Sequence, residues 1–149
     1  MTATAHAETT SLYETYAAMQ VADRSMFRNL AIRHGLHENA LRALVVTTES
    51  EHSLTPSMLA SRLRLTTGTV TALLDVLSRR DLLHRVPNPA DRRGSLLKAT
   101  DSGGQLGDAV SAAYQSALEH AVPAAEVTTL EKHLRSIAVA LNDAGRSVT

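Results

Sequence analysis

Eight basic residues crowd between positions 62 and 98: Arg62, Arg64, Arg79, Arg80, Arg85, Arg92, Arg93 and Lys98. Only Asp75, Asp81 and Asp91 oppose them there, so the stretch carries a local +5 inside a 149-residue chain of net charge zero. Phosphates respond to local charge and not to the chain total. Beside the arginines stand Thr66, Thr67, Thr69 and Thr71, followed by Ala72. Threonine offers a hydroxyl and a methyl on a short stem, groups that can meet base edges, thymine methyls or phosphates. The charge alone fits a solvated basic surface equally well, so the deciding information is how these residues are arranged.

Other chemistries find less support. His34, His37 and Glu38 lie close together, and Glu51 and His52 follow further on. A regulatory zinc needs three or four converging ligands at about 2.0–2.2 Å, and two nearby histidines do not supply them. No metal and no cofactor is expected. The chain has no cysteine, which excludes thiol-based sensing and disulfides. No nucleophile elbow, P-loop, dinucleotide fingerprint or HExxH motif is present, and Ser, His and Asp show no catalytic spacing, so the chain does not read as an enzyme.

The elements that must position the basic stretch are legible in the apolar periodicity. Residues 1–10 read as a disordered tail. Leu12, Tyr16, Met19, Met26 and Leu30 share one face of a helix over 11–33, which Gly35 ends. A second helix over 37–50 buries Leu41, Leu44, Val45 and Thr48. A third, over 55–63, has Thr55 as N-cap, Pro56 at its first position, and Leu59 and Leu63 inward. A fourth, over 67–80, has Thr66 as N-cap and a Leu65–Val70 staple. It buries Val70, Leu73, Leu74 and Leu77, leaving Thr67, Thr69, Thr71, Ala72 and Asp75 outside. Two strands, 82–86 and 95–99, flank PNPADRRG, whose Pro, Asn and Gly content predicts a hairpin loop with Arg92 and Arg93 at its tip.

Thr100 or Asp101 caps a fifth helix, and Pro123 stops it. A sixth carries Val127, Leu130, Leu134, Ile137 and Leu141 at alternating steps of three and four, a coiled-coil-like seam. That seam fits an intramolecular core or helix pairing between subunits, and its narrow, late position favours pairing. Only 3% of residues are aromatic while 44% are hydrophobic, so the core is aliphatic and its helices pack closely. The Cys-free composition, a start without an apolar run and the lack of a membrane-length apolar stretch predict a soluble, cytoplasmic protein.

Short helix, tight turn, longer helix and basic-tipped hairpin form the winged helix-turn-helix order. The fold class is therefore mainly α: a three-helix core plus a β-hairpin wing, with further helices at both ends. Its partner is double-stranded DNA. The major groove, about 12 Å wide, admits a helix with a slim outer face, and the wing can set an arginine in the narrower minor groove. Arg79, Arg80 and Arg85 are placed for backbone contacts or for salt bridges within the lobe.

The stretch resembles the MarR family of bacterial transcriptional regulators. The matching residues are Leu54-Thr55, Leu59-Ala60, Leu63, GTVTALLDVLSRRDLLHR at 68–85 and DRRGSLLKATDSG at 91–103, including Asp91, Arg93, Thr100 and Gly103. Asp81 stands where the family usually has Gly, Ala99 where it has Leu, and Val76 where Arg is common.

The resemblance implies a single domain over 11–149, with a DNA-binding lobe at 37–100 and helices 11–33, 104–121 and 124–145 joining two subunits. Leu12 and Tyr16 join the 127–141 seam in that homodimer. Two recognition helices would then enter successive major grooves about 34 Å apart. It implies Arg92 in the minor groove, an Asp91–Arg93 pair fixing the wing, and commonly repression. It also implies a small aromatic or anionic effector in a cleft lined by Tyr13, Tyr16, Met19 and Met26, although a Met and Tyr stripe at helical spacing is more often ordinary core. The alternative is a winged-helix protein-interaction module that has lost DNA binding.

Overall fold

A computed structural model describes the backbone of residues 2–147 and the side chains of residues 10–91 and 94–146. Among the described residues, six α-helices and one hairpin follow in the order α1 Thr2–Arg33, α2 Glu38–Thr48, α3 Pro56–Leu63, α4 Thr67–Arg79, β1 Leu83–Asn88, β2 Asp91–Ala99, α5 Asp101–Ala121 and α6 Val127–Ser147, with one 3-10 turn at Ala124–Glu126. The winged helix-turn-helix expected from the sequence is present. The chain divides into two compact units, Met1–Val110 and Ser111–Thr149, with the boundary inside α5.

The core of the first unit is aliphatic. Leu41, Leu44, Leu54, Leu59, Val70, Leu74, Leu77, Leu83 and Val110 are almost wholly removed from water. The inward row of α4 is the predicted Val70, Leu73, Leu74 and Leu77. It packs against α2, α3 and β1. Val45 and Thr48 of α2 are half-buried, while Ala40 and Ala43 join Leu41 and Leu44 inside. Small residues there let α2 lie close to its neighbours.

Three helices of this unit end in the same way. After α1, α3 and α4 the chain turns left-handed at Gly35 (φ 62°), Arg64 (φ 53°) and Asp81 (φ 54°). Each time the next amide reaches back five residues: Leu36 to Ala31, Leu65 to Ala60 and Leu82 to Leu77. This satisfies carbonyls that a helix end leaves without partners and returns a leucine to the core. Glycine adopts this conformation freely, whereas Arg64 and Asp81 adopt it at a steric cost of about 1 kcal/mol.

Some boundaries differ from expectation. Residues 1–10 are expected as a tail, yet α1 begins at Thr2. Alanines at 3, 5 and 7 favour helix, and no Gly or Pro interrupts the chain before Gly35. The hairpin strands are longer than expected and the loop shorter. β1 runs through Pro87 to Asn88, and only Pro89 and Ala90 turn the chain. Asn88 Oδ1 accepts the Ala90 amide at 3.0 Å, an Asx turn that replaces a longer loop. Pro87 is tolerated because, among the described residues, β1 pairs with β2 alone, which leaves an edge without need of its missing N–H. A register shift at Pro87/Asn88 takes up the extra residues of β2. The Leu97 amide also donates to the Leu54 carbonyl at 2.7 Å, tying the segment before α3 to β2.

The junction between hairpin and α5 is tight. Thr100 Oγ1 donates to the Asp81 carbonyl at 2.7 Å and accepts the Gly103 amide at 3.0 Å, so Thr100 is the cap. α5 begins at Asp101, directly after this cap. The second unit holds the rest of α5 and α6, with an apolar cleft of about 340 Å³ between Leu118, Val122, Val127, Leu130 and Leu134.

A Cβ on Gly103 would lie 1.9 Å from the Leu82 carbonyl oxygen, while one on Gly104 would meet nothing within 4 Å. Gly103→Ala is expected to lower unfolding free energy by about 3 kcal/mol through overpacking. Gly104→Ala is expected to leave it unchanged or raise it by up to about 1 kcal/mol, from helix propensity. Urea unfolding of the two variants checks both.

Candidate nucleic-acid interface

α4 owes its exposed start to Thr66. Its hydroxyl accepts the Thr69 amide at 3.2 Å and shares a 2.8 Å hydrogen bond with the Thr69 hydroxyl. Thr71 Oγ1 donates to the Thr67 carbonyl at 3.0 Å. The hydroxyls of Thr66, Thr69 and Thr71 therefore already have partners within the helix. What they present outward is chiefly methyl surface, suited to apolar contact with thymine methyls.

At 3.6 residues per turn, the residues opposite the buried row are Gly68, Ala72, Asp75 and Arg79. All four are exposed, and they form one straight ridge along the helix. Thr69 and Thr71 flank it. Thr67 is exposed but lies nearer the buried side of the ridge. The sequence reading names Ala72, Asp75 and Arg79 and gives most weight to the threonines; Gly68 it misses as part of the outer row. Counting back four from Ala72 would have found it. A Cβ at Gly68 would meet nothing within 4 Å. The ridge is thus narrow at its N-terminal half, where backbone amides of the first turn remain available for an anion.

The charged side chains around this ridge separate into two groups. Arg64 and Arg79 are exposed and their side chains have no hydrogen-bond or ion-pair partner among the described residues. Arg64 sits in the left-handed turn between α3 and α4, a position the sequence reading does not assign to the interface. Arg85 Nη2 lies 3.8 Å from Asp75 Oδ1, linking β1 to α4 at the surface. Exposed pairs of this length contribute little stability, so both groups remain open to other partners. Arg80 points elsewhere: its Nη1 donates to the His34 carbonyl at 2.9 Å. Of the sequence-predicted residues, Thr66, Thr67, Thr69, Thr71, Ala72, Asp75, Arg79 and Arg85 belong to α4 and the adjoining strand, and Arg80 is turned toward the end of α1.

Arg92 and Arg93 lie on β2 close to the hairpin turn, and their side chains, with the expected Asp91–Arg93 pair, fall outside the described residues. His37 Nδ1 accepts the Asn39 amide at 3.2 Å as the N-cap of α2, and Glu38 pairs with Arg28 at 2.9 Å. Among the described residues no three His, Cys, Asp or Glu side chains gather as a metal ion requires. Tyr13 and Met19 of α1 are exposed, and Tyr16 and Met26 are half-buried, with the Tyr16 hydroxyl accepting from Gln20 at 2.8 Å. Among the described residues no helix is long and apolar enough to cross a membrane.

Residues 34–94 match the model of the MarR family. No curated protein matches the chain in sequence. Among solved structures, a mutant of MepR from a multidrug-resistant S. aureus clinical isolate aligns with a TM-score of 0.71 and 19% identity, over 87% of this chain and 96% of that one. Wild-type apo MarR from E. coli aligns with a TM-score of 0.64 and 25% identity, over 84% and 94%. The S. aureus MepR–DNA complex aligns with a TM-score of 0.60 and 20% identity, over 83% and 98%.

Thr66→Ala removes the cap of α4 and is expected to lower stability by about 1 kcal/mol. Thr66→Ser keeps the accepting oxygen and is expected to retain most of it. Denaturant midpoints of the two variants, compared with the parent, check the assignment.

Proposed function

We propose that this chain, whose residues 34–94 match the model of the MarR family, is a regulator of that family: a transcriptional regulator that binds double-stranded DNA as a homodimer and acts as a ligand-responsive repressor in the cytoplasm. The observation that carries this reading is the narrow outer ridge of α4, Gly68, Ala72, Asp75 and Arg79, flanked by Arg64 and Arg85. Its N-terminal half, Gly68 and Ala72, has so little side-chain bulk that it can approach base edges along the major groove. The S. aureus relative bound to DNA supports the same use of this fold. Arg92 on the wing is assigned to the minor groove and Arg93, with Asp91, to holding the wing.

Dimerisation is supported by exposed apolar surface on α6 and on α1. Val127 is 49% exposed, Leu134 41%, Leu141 48% and Leu12 60%. A helix with such a stripe is stable in water when a partner covers it. The reading extends to a small aromatic or anionic effector held on the Tyr13, Tyr16, Met19 and Met26 face of α1, whose rings and thioethers suit a flat apolar molecule.

Binding to DNA from the gene's own upstream region, measured at several salt concentrations, tests the reading. Specific binding with a steep salt dependence is expected; binding to no DNA at low salt overturns it and leaves a protein-interaction module. Each phosphate contact steepens the slope by about 0.9, and Arg92→Ala is expected to weaken binding and flatten the slope. An unchanged dissociation constant and slope would remove Arg92 from the interface. In sedimentation, Leu134→Asp is expected to convert a dimer to a monomer, and a variant that stays dimeric would take the seam out of the interface.

A further inference from the structure

Arg80 is the last residue of the α4 region before the chain turns, and its guanidinium leaves the α4 surface to meet the end of α1. Nη1 donates to the His34 carbonyl at 2.9 Å, across 46 residues of sequence. That carbonyl lies just past the C-terminus of α1, where helix carbonyls lack internal partners and negative partial charge accumulates. A charged donor there makes a stronger hydrogen bond than a neutral one. Arg80 has no carboxylate partner among the described residues, so nothing competes for it within them. Gly35 fits the same contact. A Cβ at Gly35 would stand 3.2 Å from Arg80 Nη2, so a larger residue crowds the guanidinium.

The neighbouring residues are fixed as well. Asp81 accepts the Thr100 hydroxyl through its carbonyl, and the Leu82 carbonyl accepts the Thr100 amide at 3.2 Å. The C-terminal end of α4 is therefore held on one side by the start of α5 and on the other, through Arg80, by the end of α1. Its N-terminal end, with Thr66 and Gly68, is exposed. Val70 seats the inner side of that end in the core, so α4 behaves as one rod and a shift of its C-terminal end moves the outer ridge with it.

We infer that Arg80 is a positioning residue for DNA recognition: it fixes α4 against α1 and makes no contact with DNA. The inference rests on the DNA-binding reading above. It separates from the obvious alternative, a phosphate contact, because a lost phosphate contact flattens the salt dependence by about 0.9 per contact and weakens all DNA alike. A lost positioning contact lowers discrimination and leaves the slope alone.

The test uses the full chain and a DNA site selected by the parent protein from a random-sequence pool. Binding to that site and to unrelated duplex is measured across a salt series for the parent and for Arg80→Ala. The expected result is a loss of about tenfold for the selected site, the size of one hydrogen bond to a charged group. Affinity for unrelated duplex and both salt slopes stay unchanged, and amide exchange at residues 34–36 of the free protein quickens. Equal losses on both duplexes with flatter slopes make Arg80 a phosphate contact and overturn the inference. No loss at all also overturns it. A parent that selects no site refutes the DNA-binding reading itself, a failure visible before any variant is measured. If Arg80→Ala does not fold, Arg80→Gln, neutral but still a donor, takes its place with the same slope criterion.

Discussion

The carbonyl oxygen of Leu82 and the α-carbon of Gly103 approach so closely that no side chain fits between them. Around that contact the Thr100 hydroxyl bridges the Asp81 carbonyl and the Gly103 amide, while the Thr100 amide returns to Leu82. Four residues thereby fix where α4 stops, where β1 starts and where α5 departs. The hairpin inherits its direction from this junction, because β2 runs into Thr100 and β1 leaves Leu82. Leu83, wholly buried on β1, and Leu97, buried on β2, then seal the hairpin against α2, α3 and α4. The relation between the α4 ridge and the wing is set here, by hydrogen bonds and steric exclusion and not by the surface charges that make the ridge and wing useful.

A second regularity acts at the C-terminal ends of α1, α3 and α4. The left-handed turns at Gly35, Arg64 and Asp81 each send a leucine back into the unit. Two of them are made by residues that adopt this conformation at a cost, and both adjoin α4: Arg64 precedes it and Asp81 follows it. Arg64 combines the strained turn with a charge exposed beside the interface. Asp81 uses its carbonyl in the Thr100 clasp, so its backbone is held from outside as well as by the helix end.

Much of this was legible in the sequence, for identifiable reasons. The inward row of α4 was readable because four aliphatic residues at 70, 73, 74 and 77 admit one helical phase. The caps at Thr55 and Thr66 were readable because each stands directly before a helix start. The hairpin was harder. Pro87 and Asn88 carry turn signals that locally outweigh strand signals, yet pairing with β2 and an unused edge draw them into the strand. The first turns of α1 were missed because periodicity detects helices by their buried face, and few of its described residues before Phe27 are even half-buried. The partner of Arg80 was beyond reach, since a contact across 46 residues leaves no local pattern. The outer ridge fell between these cases: its phase was fixed by the inward row, but threonines drew attention to the flanks.

Gly68 and Ala72, in the outer row, have no part in the packing that the inner row secures. At Gly68 a new side chain meets open space, and most residues there would also favour the helix by up to about 1 kcal/mol. The two rows of α4 are consequently free to change independently: core substitutions are filtered by volume and shape, outer ones are nearly invisible to folding. A lineage can therefore drift through different side chains at 68 and 72, changing the surface that α4 presents, while the scaffold beneath it stays constant.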